Sequence, residues 1–410
     1  MLLTRVPVPS ELLTEIFRFC GPFSNGRYWD GLLIRQSPWV LSHVCRRWRV
    51  TVLSTPMLWC MFSIDLSLSR TWQASEGVLQ LTSLFLERSG HCSISLAIYG
   101  DNSPQNRPIL EALMSTSDRW EDLRIFSDSA FTQALSPIRG HISRLRRLEV
   151  HRDDRPIRID AFADAPHLHH AVLSYDPWMS VILPWKQLTE FQTAYCEVGT
   201  ILTTLRELVN LVTLTLDRLD PEDSDVTVQP FHLLRLRTLS ITAEGAERHP
   251  GDLLDHLILP ALVCLTVDSE GITICPHLTA LIDRSECVLE SLTLSIDDTF
   301  DISIAAVLGS TPGLTYLSLC GLRVSDELFA RLMSTEPVLA PLLASLTLRA
   351  QFSQEFLLLL VTSRFAPRES EPGRALKELR ISLDVMDLEA FFADRMLDFN
   401  DMGFHVELLR

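Results

Sequence analysis

The sequence has little of what marks secreted or membrane-spanning proteins. Its longest uninterrupted apolar run, Phe356–Val361, is far shorter than the ~20 residues that a transmembrane helix needs, so we expect no membrane association. The opening residues Met1–Pro7 hold no apolar stretch of signal-peptide length. The nine cysteines are odd in number and form no C-x-x-C pair, as is typical of reduced thiols. We therefore expect a cytoplasmic or nuclear protein.

Basic residues are also scarce, because 36 Lys and Arg stand against 52 Asp and Glu, for a formal net charge of −16. Binding to nucleic acid regardless of its sequence depends on neutralising phosphates, so we expect no nucleic-acid partner. The charge is uneven: residues 1–60 hold seven Arg, no Lys and three acids (net +4), which leaves −20 for the remainder. Such asymmetry indicates two regions with different partners.

Catalytic motifs are missing as well. The chain has no G-x-S-x-G, G-x-G-x-x-G, P-loop or H-E-x-x-H sequence, and no carboxylate spacing singles out an acid/base pair. His167, His169 and His170 lie close together, but no Cys or carboxylate follows at zinc-finger spacing. We expect a non-enzymatic protein with no cofactor and no metal. A hydrolase or transferase site assembled from distant residues stays open as a third alternative.

What the sequence has in abundance is a leucine pattern, L-x-x-L-x-L with apolar substitutes, as in Leu211–Leu216 (LVTLTL) and Leu289–Leu294 (LESLTL). Copies start 20 to 33 residues apart, with a mean of about 26, which is typical of leucine-rich repeats. The starts are Trp120, Leu145, Leu168, Leu188, Leu211, Leu236, Leu262, Leu289, Leu314, Leu343 and Leu376. Two weaker units are Trp59–Ile64 and Ser93–Ile98.

Each copy predicts a short strand with alternate apolar side chains facing inward, followed by a return segment. Ile201–Leu211 and Ser325–Met333 have apolar residues at helical spacing, and Ser325 is predicted to cap the second helix. Single units cannot bury their apolar side, so neighbouring units must stack into one core. We predict an α/β fold in which residues 59–410 form a curved leucine-rich-repeat solenoid (a horseshoe). The alternative is a generic α/β protein with leucine-rich strands.

The N-terminal region has apolar residues at helical spacing instead. The first predicted helix is capped by Ser10, and the second starts at Pro38. Their predicted stripes are Leu12, Leu13, Ile16 and Phe17 on the first helix, and Leu41, Val44, Cys45 and Trp48 on the second. Two short helices cannot make a large core, so we expect exposed apolar surface, which marks a partner site.

Three segments of this region, Val6–Phe17 (VPVPSELLTEIF), Ser37–Arg49 (SPWVLSHVCRRWR) and Leu53–Trp59 (LSTPMLW), resemble the F-box-like domain of fungal proteins. The sequence departs from that pattern in Val8-Pro9, which replaces Leu-Pro, and in a long link over residues 21–36. The resemblance implies a helical module, residues 1–58, that docks on the Skp-type adaptor of an SCF ubiquitin ligase and its cullin core. The docking residues would be Val8, Pro9, Leu12, Leu13, Ile16, Phe17, Leu41, Val44, Cys45 and Trp48.

The resemblance further implies that the repeats capture a protein target, so that the chain is a substrate-recognition adaptor and ubiquitin transfer is catalysed elsewhere. The main alternative is an interaction scaffold outside any ligase. In that alternative the helical segment only caps the first repeat, as the ends of solenoids require. In both cases we expect Trp59 to pack into the first repeat.

Acidic residues gather beyond the ends of the predicted strands. The residue between the last two apolar positions of each copy should face outward, as Thr215 and Thr293 do in the register above. We predict an acidic rim that consists of Asp217, Glu244, Asp268, Glu270 and Asp297. This rim would select a basic segment of the target by charge complementarity. The alternative, which we favour, is a solvated strand face with acidic loops that aid solubility.

Overall fold

The computed structural model describes residues 8–20, 37–66, 72–151, 158–174, 181–220, 229–243, 250–269, 274–296, 301–334, 338–365, 376–382, 390–401 and 403–409. The link over residues 21–36 therefore lies outside the described residues, as do the rim residues Glu244, Glu270 and Asp297. The chain divides into two compact units, Met1–Leu188 and Thr189–Arg410. The predicted boundary between residues 58 and 59 falls inside the first unit and stays a prediction.

The first unit begins with three short helices and continues as a parallel sheet. Its helices are α1 (Ser10–Phe19), α2 (Trp39–Val44), α3 (Arg46–Leu53), α4 (Trp72–Arg88), α5 (Arg107–Met114) and α6 (Ser129–Ala134). Its strands are β1 (Met61–Asp65), β2 (Ile94–Gly100), β3 (Trp120–Ser127), β4 (Arg147–His151) and β5 (His170–Ser174). The strands pair in chain order, each parallel to the next.

The second unit alternates strands with helices. Its helices are α7 (Val198–Leu205), α8 (Gly251–Asp255), α9 (Ile274–Ser285), α10 (Asp301–Gly309), α11 (Asp326–Met333), α12 (Gln354–Phe365) and α13 (Ala390–Asp401). Its strands are β6 (Glu190–Glu197), β7 (Thr213–Asp220), β8 (Phe231–His232), β9 (Thr238–Ala243), β10 (Leu257–Ile258), β11 (Cys264–Ser269), β12 (Ser291–Ile296), β13 (Tyr316–Arg323), β14 (Ser345–Gln351), β15 (Glu378–Ser382) and β16 (His405–Leu409). All except β8 and β10 pair in parallel and in chain order, while β8 pairs with β10.

The α/β class and the strand positions predicted from the leucine pattern are confirmed. Each predicted copy coincides with a parallel strand, from the weak unit at Trp59–Ile64 (β1) to the copy that starts at Leu376 (β15). The helical returns are also present, since α7 overlaps the first half of the first predicted segment and α11 lies within the second. Ser325 caps α11 as predicted, because its Oγ accepts a hydrogen bond from the Glu327 N–H at 3.2 Å.

Stacked rows of apolar side chains form the core of the second unit. One row runs across seven neighbouring strands in direct register, and each of its members is at most 1% exposed. Its members are Leu214, Leu239, Leu265, Leu292, Leu317, Leu346 and Leu379. Burying one such side chain stabilises the fold by about 1.5–3 kcal/mol. A slip of one residue would turn the whole row outward, so this row fixes the register.

Arginine side chains near the ends of return segments bond carbonyls of the preceding segment. Arg364, at the end of α12, donates from Nε to the carbonyl of Leu332 at 3.0 Å and from Nη1 to that of Ala340 at 2.9 Å. Arg284, at the end of α9, donates from Nε to the carbonyl of Leu257 at 2.9 Å. Leu332 lies in the last turn of α11, where carbonyls lack partners within the helix, so Arg364 satisfies one of these carbonyls. Ala340 and Leu257 lie outside helices, and there the charged donors bond carbonyls of a turn and of β10.

Candidate functional site

Helix α1 does not carry the single apolar stripe that the sequence predicts, because neighbouring residues of a helix point about 100° apart. Leu13 and Phe17 are buried, whereas Leu12 and Ile16 remain 55% and 47% exposed. Helix α1 therefore has two apolar faces, one that packs against the core and one that is exposed to solvent. The prediction that Ser10 caps α1 is wrong, since Ser10 is already helical and the residue before it makes no side-chain capping bond.

The predicted second helix is also wrong in its continuity. Helix α2 ends at Val44, Cys45 is extended (φ −158°, ψ 168°), and α3 begins at Arg46. The Sγ of Cys45 accepts a hydrogen bond from the Trp48 N–H at 3.5 Å, which caps α3. Because of this break, Leu41 is buried, Val44 is exposed and Trp48 is half-buried, so they do not share one stripe.

Contacts between side chains and backbone tie the three helices together. The rings of Phe17 and Trp48 meet edge to face, with centroids 4.8 Å apart. Arg49 Nε donates to the carbonyl of Ser42 at 3.0 Å, and Arg47 donates to the backbone just ahead of α1. These arginines thus link helices, and their charge stays at the surface, since both residues are exposed.

Trp59 fastens the helices to the first strand, as expected from the sequence. Its ring is fully buried, and its Nε1 donates to the carbonyl of Val52 at 2.9 Å. It meets the rings of Trp39 and Phe85 edge to face, each at 5.1 Å between centroids. The Arg88 guanidinium lies 4.4 Å from the Trp59 ring, and its burial lowers the pKa of that group. The helices therefore share a core with the strands that follow.

Large apolar side chains remain exposed on this helical region to an unusual extent. Among the described residues, nine of the sixteen exposed large apolar side chains lie between residues 8 and 57. We call these nine the module surface: Val8, Leu12, Ile16, Phe19, Val40, Val44, Val50, Leu53 and Met57. The other seven occur at separate places in the rest of the chain. Concentrated apolar exposure marks an interaction site, whereas scattered exposure is ordinary.

The ten docking residues implied by the resemblance divide between this surface and the core. Six of them are exposed, namely Val8, Pro9, Leu12, Ile16, Val44 and Cys45. Leu13, Phe17 and Leu41 are buried and Trp48 is half-buried, so these four support the helices from within. The predicted docking residues did not include Phe19, Val40, Val50, Leu53 and Met57. Their apolar character was visible, but only the break at Cys45 shows which side they face.

The charges beside the module surface are mainly positive. The described residues from 8 to 58 include four Arg against two Glu. Arg18 forms an exposed ion pair with Glu15 at 3.2 Å, whereas Arg46, Arg47 and Arg49 follow the break between α2 and α3 and are exposed. A partner with apolar side chains and acidic groups around them would complement this surface.

The predicted acidic rim is described only at Asp217 and Asp268. Direct register through Thr242 places them on the same row, two strands apart, which is about 10 Å. Asp217 is half-buried and accepts a hydrogen bond from Gln192 Nε2 at 3.0 Å, whereas Asp268 is exposed. Of the residues predicted to face outward, Thr215 and Thr293 are half-buried. The predicted selection of basic segments stays a prediction.

A charged network on the last strands was not predicted from the sequence. Arg380 lies 3.0 Å from a carboxylate oxygen of Glu378 and 2.9 Å from one of Glu407, and His405 Nε2 lies 3.9 Å from Glu378. A hydrogen bond from Ser345 Oγ, at 2.8 Å, and the nearby Arg380 charge lower the pKa of Glu378.

Ligand-type atoms of Glu378, His405 and Glu407 lie within 4.8 Å of one another. The Arg380 guanidinium already contacts both carboxylates, so we interpret the group as an ion-pair network rather than a metal centre. His167, His169 and His170 form no such group among the described residues. Of the helices that the structure describes, none combines the length and apolar character needed to cross a membrane.

Comparison with known proteins gives no family. No family model matches the chain, and no curated protein matches it. Among solved structures, the chain is similar to a Bacteroides fragilis protein from a structural-genomics programme, with 12% sequence identity and a TM-score of 0.37. That match covers 77% of this chain and 85% of the other. We therefore infer the function from the residues of this chain alone.

Proposed function

We propose that this chain is the substrate-recognition adaptor of an SCF-type ubiquitin ligase. In this proposal, residues 1–58 are an F-box-like module that binds a Skp-type adaptor, and residues 59–410 are a leucine-rich-repeat solenoid that holds a protein target. The observation that carries the proposal is the module surface, because seven of its nine side chains lie within the segments that resemble the F-box-like domain. The proposed compartment is the cytoplasm or the nucleus.

The proposal is supported by the unfavourable free energy of leaving the apolar module surface exposed to water. Moving an apolar side chain out of water contributes about 25 cal/mol per Å² buried. Leu12, Ile16 and Val44 each present about half of their surface, so a docked partner would gain from each of them. Specific interfaces have apolar centres and polar rims, and the nearby arginines would supply such a rim.

The proposed mechanism is proximity, and this chain carries out no covalent step. The module holds the ligase core while the repeats hold the target. Holding both raises the effective concentration of target lysines near the loaded conjugating enzyme. The proposed target-binding surface is the outward row at Thr215, Thr266 and Thr293, which are half-buried, because the inward rows of the strands are closed by the leucine core.

The proposal is tested by calorimetric titration of the purified chain with a purified Skp-type adaptor. Leu12→Asp should weaken binding by at least about tenfold, since it places a charge at an apolar interface. Leu359→Asp is the matched control, because Leu359 lies on α12 and is also 55% exposed. It should leave binding unchanged, and circular dichroism should show both variants folded.

Failure of the folded wild-type chain to bind the adaptor would contradict the proposal and favour the second candidate, a scaffold whose helical segment caps the repeats. The observation that favours this second candidate is Trp59, which is buried against α4 and joins the helices to β1. A cap of this kind needs no exposed apolar surface. Under this candidate, Leu12→Asp would change neither binding nor stability.

A further inference from the structure

The last strand of the second unit, β16, has an edge that no described strand covers. On one side it pairs in parallel with β15, with Glu378 opposite His405 and Arg380 opposite Glu407. Among the strands that the structure describes, it has no other neighbour. An uncovered edge presents a row of backbone N–H and C=O groups that can pair with another strand.

The register shows which backbone groups face this edge. The His405 N–H bonds the carbonyl of Lys377 at 3.0 Å, so His405, Glu407 and Leu409 direct their backbone groups toward β15. Val406 and Leu408 alternate with them and direct their N–H and C=O groups to the opposite side. Val406 is half-buried and Leu408 is 48% exposed, so apolar side chains accompany these groups.

We propose that two copies of this chain pair through β16, antiparallel and around a twofold axis at Val406. Each Val406 exchanges both backbone hydrogen bonds with Val406 of the second copy. Each Leu408 N–H donates to the carbonyl of Phe404 of the second copy, so four hydrogen bonds form in all. The interface is isologous and closes after two chains, because the same edge serves both copies.

Charge selects this register over the neighbouring one. With the axis at Val406, His405 faces Glu407 of the second copy, and Glu407 faces His405 of the second copy. These are non-hydrogen-bonded positions, at which Cα atoms are about 4.5 Å apart and side chains are closest. With the axis at Glu407, the two Glu407 side chains would face each other, and like charges directly opposite are destabilising.

The charges already present on β15 and β16 favour a second copy. Each chain contributes two carboxylates, Glu378 and Glu407, but one guanidinium, Arg380, to the network. The Glu407 side chain is 45% exposed, and in the proposed register His405 of the second copy lies opposite it. The edge strand is short, so the association should be weak and concentration-dependent, as interfaces below about 1,000 Å² are.

Sedimentation equilibrium of the full chain tests the proposal over roughly 1 to 300 µM, the range in which such interfaces assemble. The wild type should pass from monomer to dimer. Val406→Pro removes the central edge donor while sparing the hydrogen bonds to β15, and it should weaken the dimer by at least about tenfold. A wild type that stays monomeric throughout, or a dimer that Val406→Pro leaves intact, would overturn the proposal.

A second pair of variants guards against misfolding of the proline variant. Leu408→Asp should weaken the dimer by at least about tenfold, because it puts a charge at the interface. Leu342→Asp is its control, since Leu342 is 46% exposed and lies before β14. It should leave the dissociation constant unchanged within about twofold. Equal effects of the two substitutions would contradict pairing at this edge.

Mild oxidation of cysteine variants tests the register. The Val406→Cys variant should give a cross-linked dimer, because its two Cα atoms are about 5.5 Å apart, within disulfide reach. The Glu407→Cys variant and the wild type, with its native thiols, serve as controls and should cross-link less. Efficient cross-linking through position 407 alone would overturn the proposed axis.

Discussion

The helical region (residues 8–58) and the parallel strands of the second unit use their apolar residues in opposite ways. In the strands, Leu265 and Leu292 point into a closed core, and the row beside them is Thr266 and Thr293. In the helices, three of the five apolar residues of α1 face outward. A strand of a repeated unit can bury its apolar side chains against the next unit, whereas a few short helices cannot bury all of theirs. The apolar side chains that the helices leave exposed are therefore available to a partner.

The two regions also differ in how they are held. The strands rely on many equivalent leucine contacts, so that each contributes a similar share. The helices rely on few large contacts, chiefly the ring of Trp59 between Trp39 and Phe85. We therefore expect single substitutions in the helical region to fall into two classes. Substitution of the anchor, Trp59, should lower stability strongly, whereas substitutions on the module surface should change stability little.

The largest expected effect is at the anchor of the helical region. Trp59→Ala should lower the free energy of unfolding of the first unit by about 3–5 kcal/mol, because it empties a buried aromatic site. Thermal and urea unfolding measure it. Trp185→Ala is the control that also removes one tryptophan, from a half-buried position, and its effect should be smaller. Equal losses would show that Trp59 is not the anchor.

The next effect contrasts the inner and outer rows of one strand. Leu292→Ala should cost about 2–5 kcal/mol, since it leaves a cavity in the leucine core. Thr293→Ala, the adjacent residue on the half-buried outward row, should change stability by less than about 1 kcal/mol. Urea unfolding of the two variants measures the difference. A larger loss for Thr293→Ala would contradict the register.

A smaller effect is expected at Glu378, and it depends on pH. A carboxyl whose pKa is lower in the folded protein stabilises the fold above its unfolded pKa of about 4.3, and that stabilisation is lost as the pH falls through the folded pKa. Glu378→Gln should therefore cost under about 1 kcal/mol at pH 7, and this cost should shrink as the pH falls through the folded pKa. Unfolding midpoints across this range measure it, with the exposed Glu355→Gln as control. A loss of stability on Glu378→Gln that grew as the pH fell would contradict the expected direction of the pH dependence.

The smallest effect is a difference in reactivity between cysteine thiols, and it involves no change in the stability of the fold. Burial raises the pKa of Cys60 to about 11 and that of Cys275 to about 11, whereas Cys20 is exposed in the helical region. At about pH 8 an alkylating reagent should therefore modify Cys20 well before the other two, because the thiolate is the reactive form. Peptide mass spectrometry over time measures the order. Early modification of Cys275 would show that α9 is less well packed than its contacts imply.

The strands could be predicted from the sequence because their signal is repeated. The same leucine spacing at each copy leaves little freedom in register, as the row through Leu292 shows. The copy at β16 was missed because Gly403 stands where the first leucine should be. The two-residue strands β8 and β10 were missed because pairs of this length carry no periodicity.

The candidate site was harder to predict, and the reason lies in local backbone geometry. Helical spacing predicts that Leu41, Val44 and Trp48 share a face, yet the extended backbone at Cys45 separates them. A thiol is not among the preferred side chains at a helix start, so the sequence offered no warning. The split of α1 into two faces depends on where Phe17 packs, which is a tertiary contact with Trp48.

Hydrogen–deuterium exchange of the full chain, with and without a saturating Skp-type adaptor, tests whether the three N-terminal helices bind that adaptor. We expect slower exchange in α1, α2 and α3 on adding the adaptor, because the module surface becomes covered. We expect no change in the strands of the second unit, whose polar rows stay available for a target. Unchanged exchange in all three helices, or protection confined to the strands, would contradict binding through these helices.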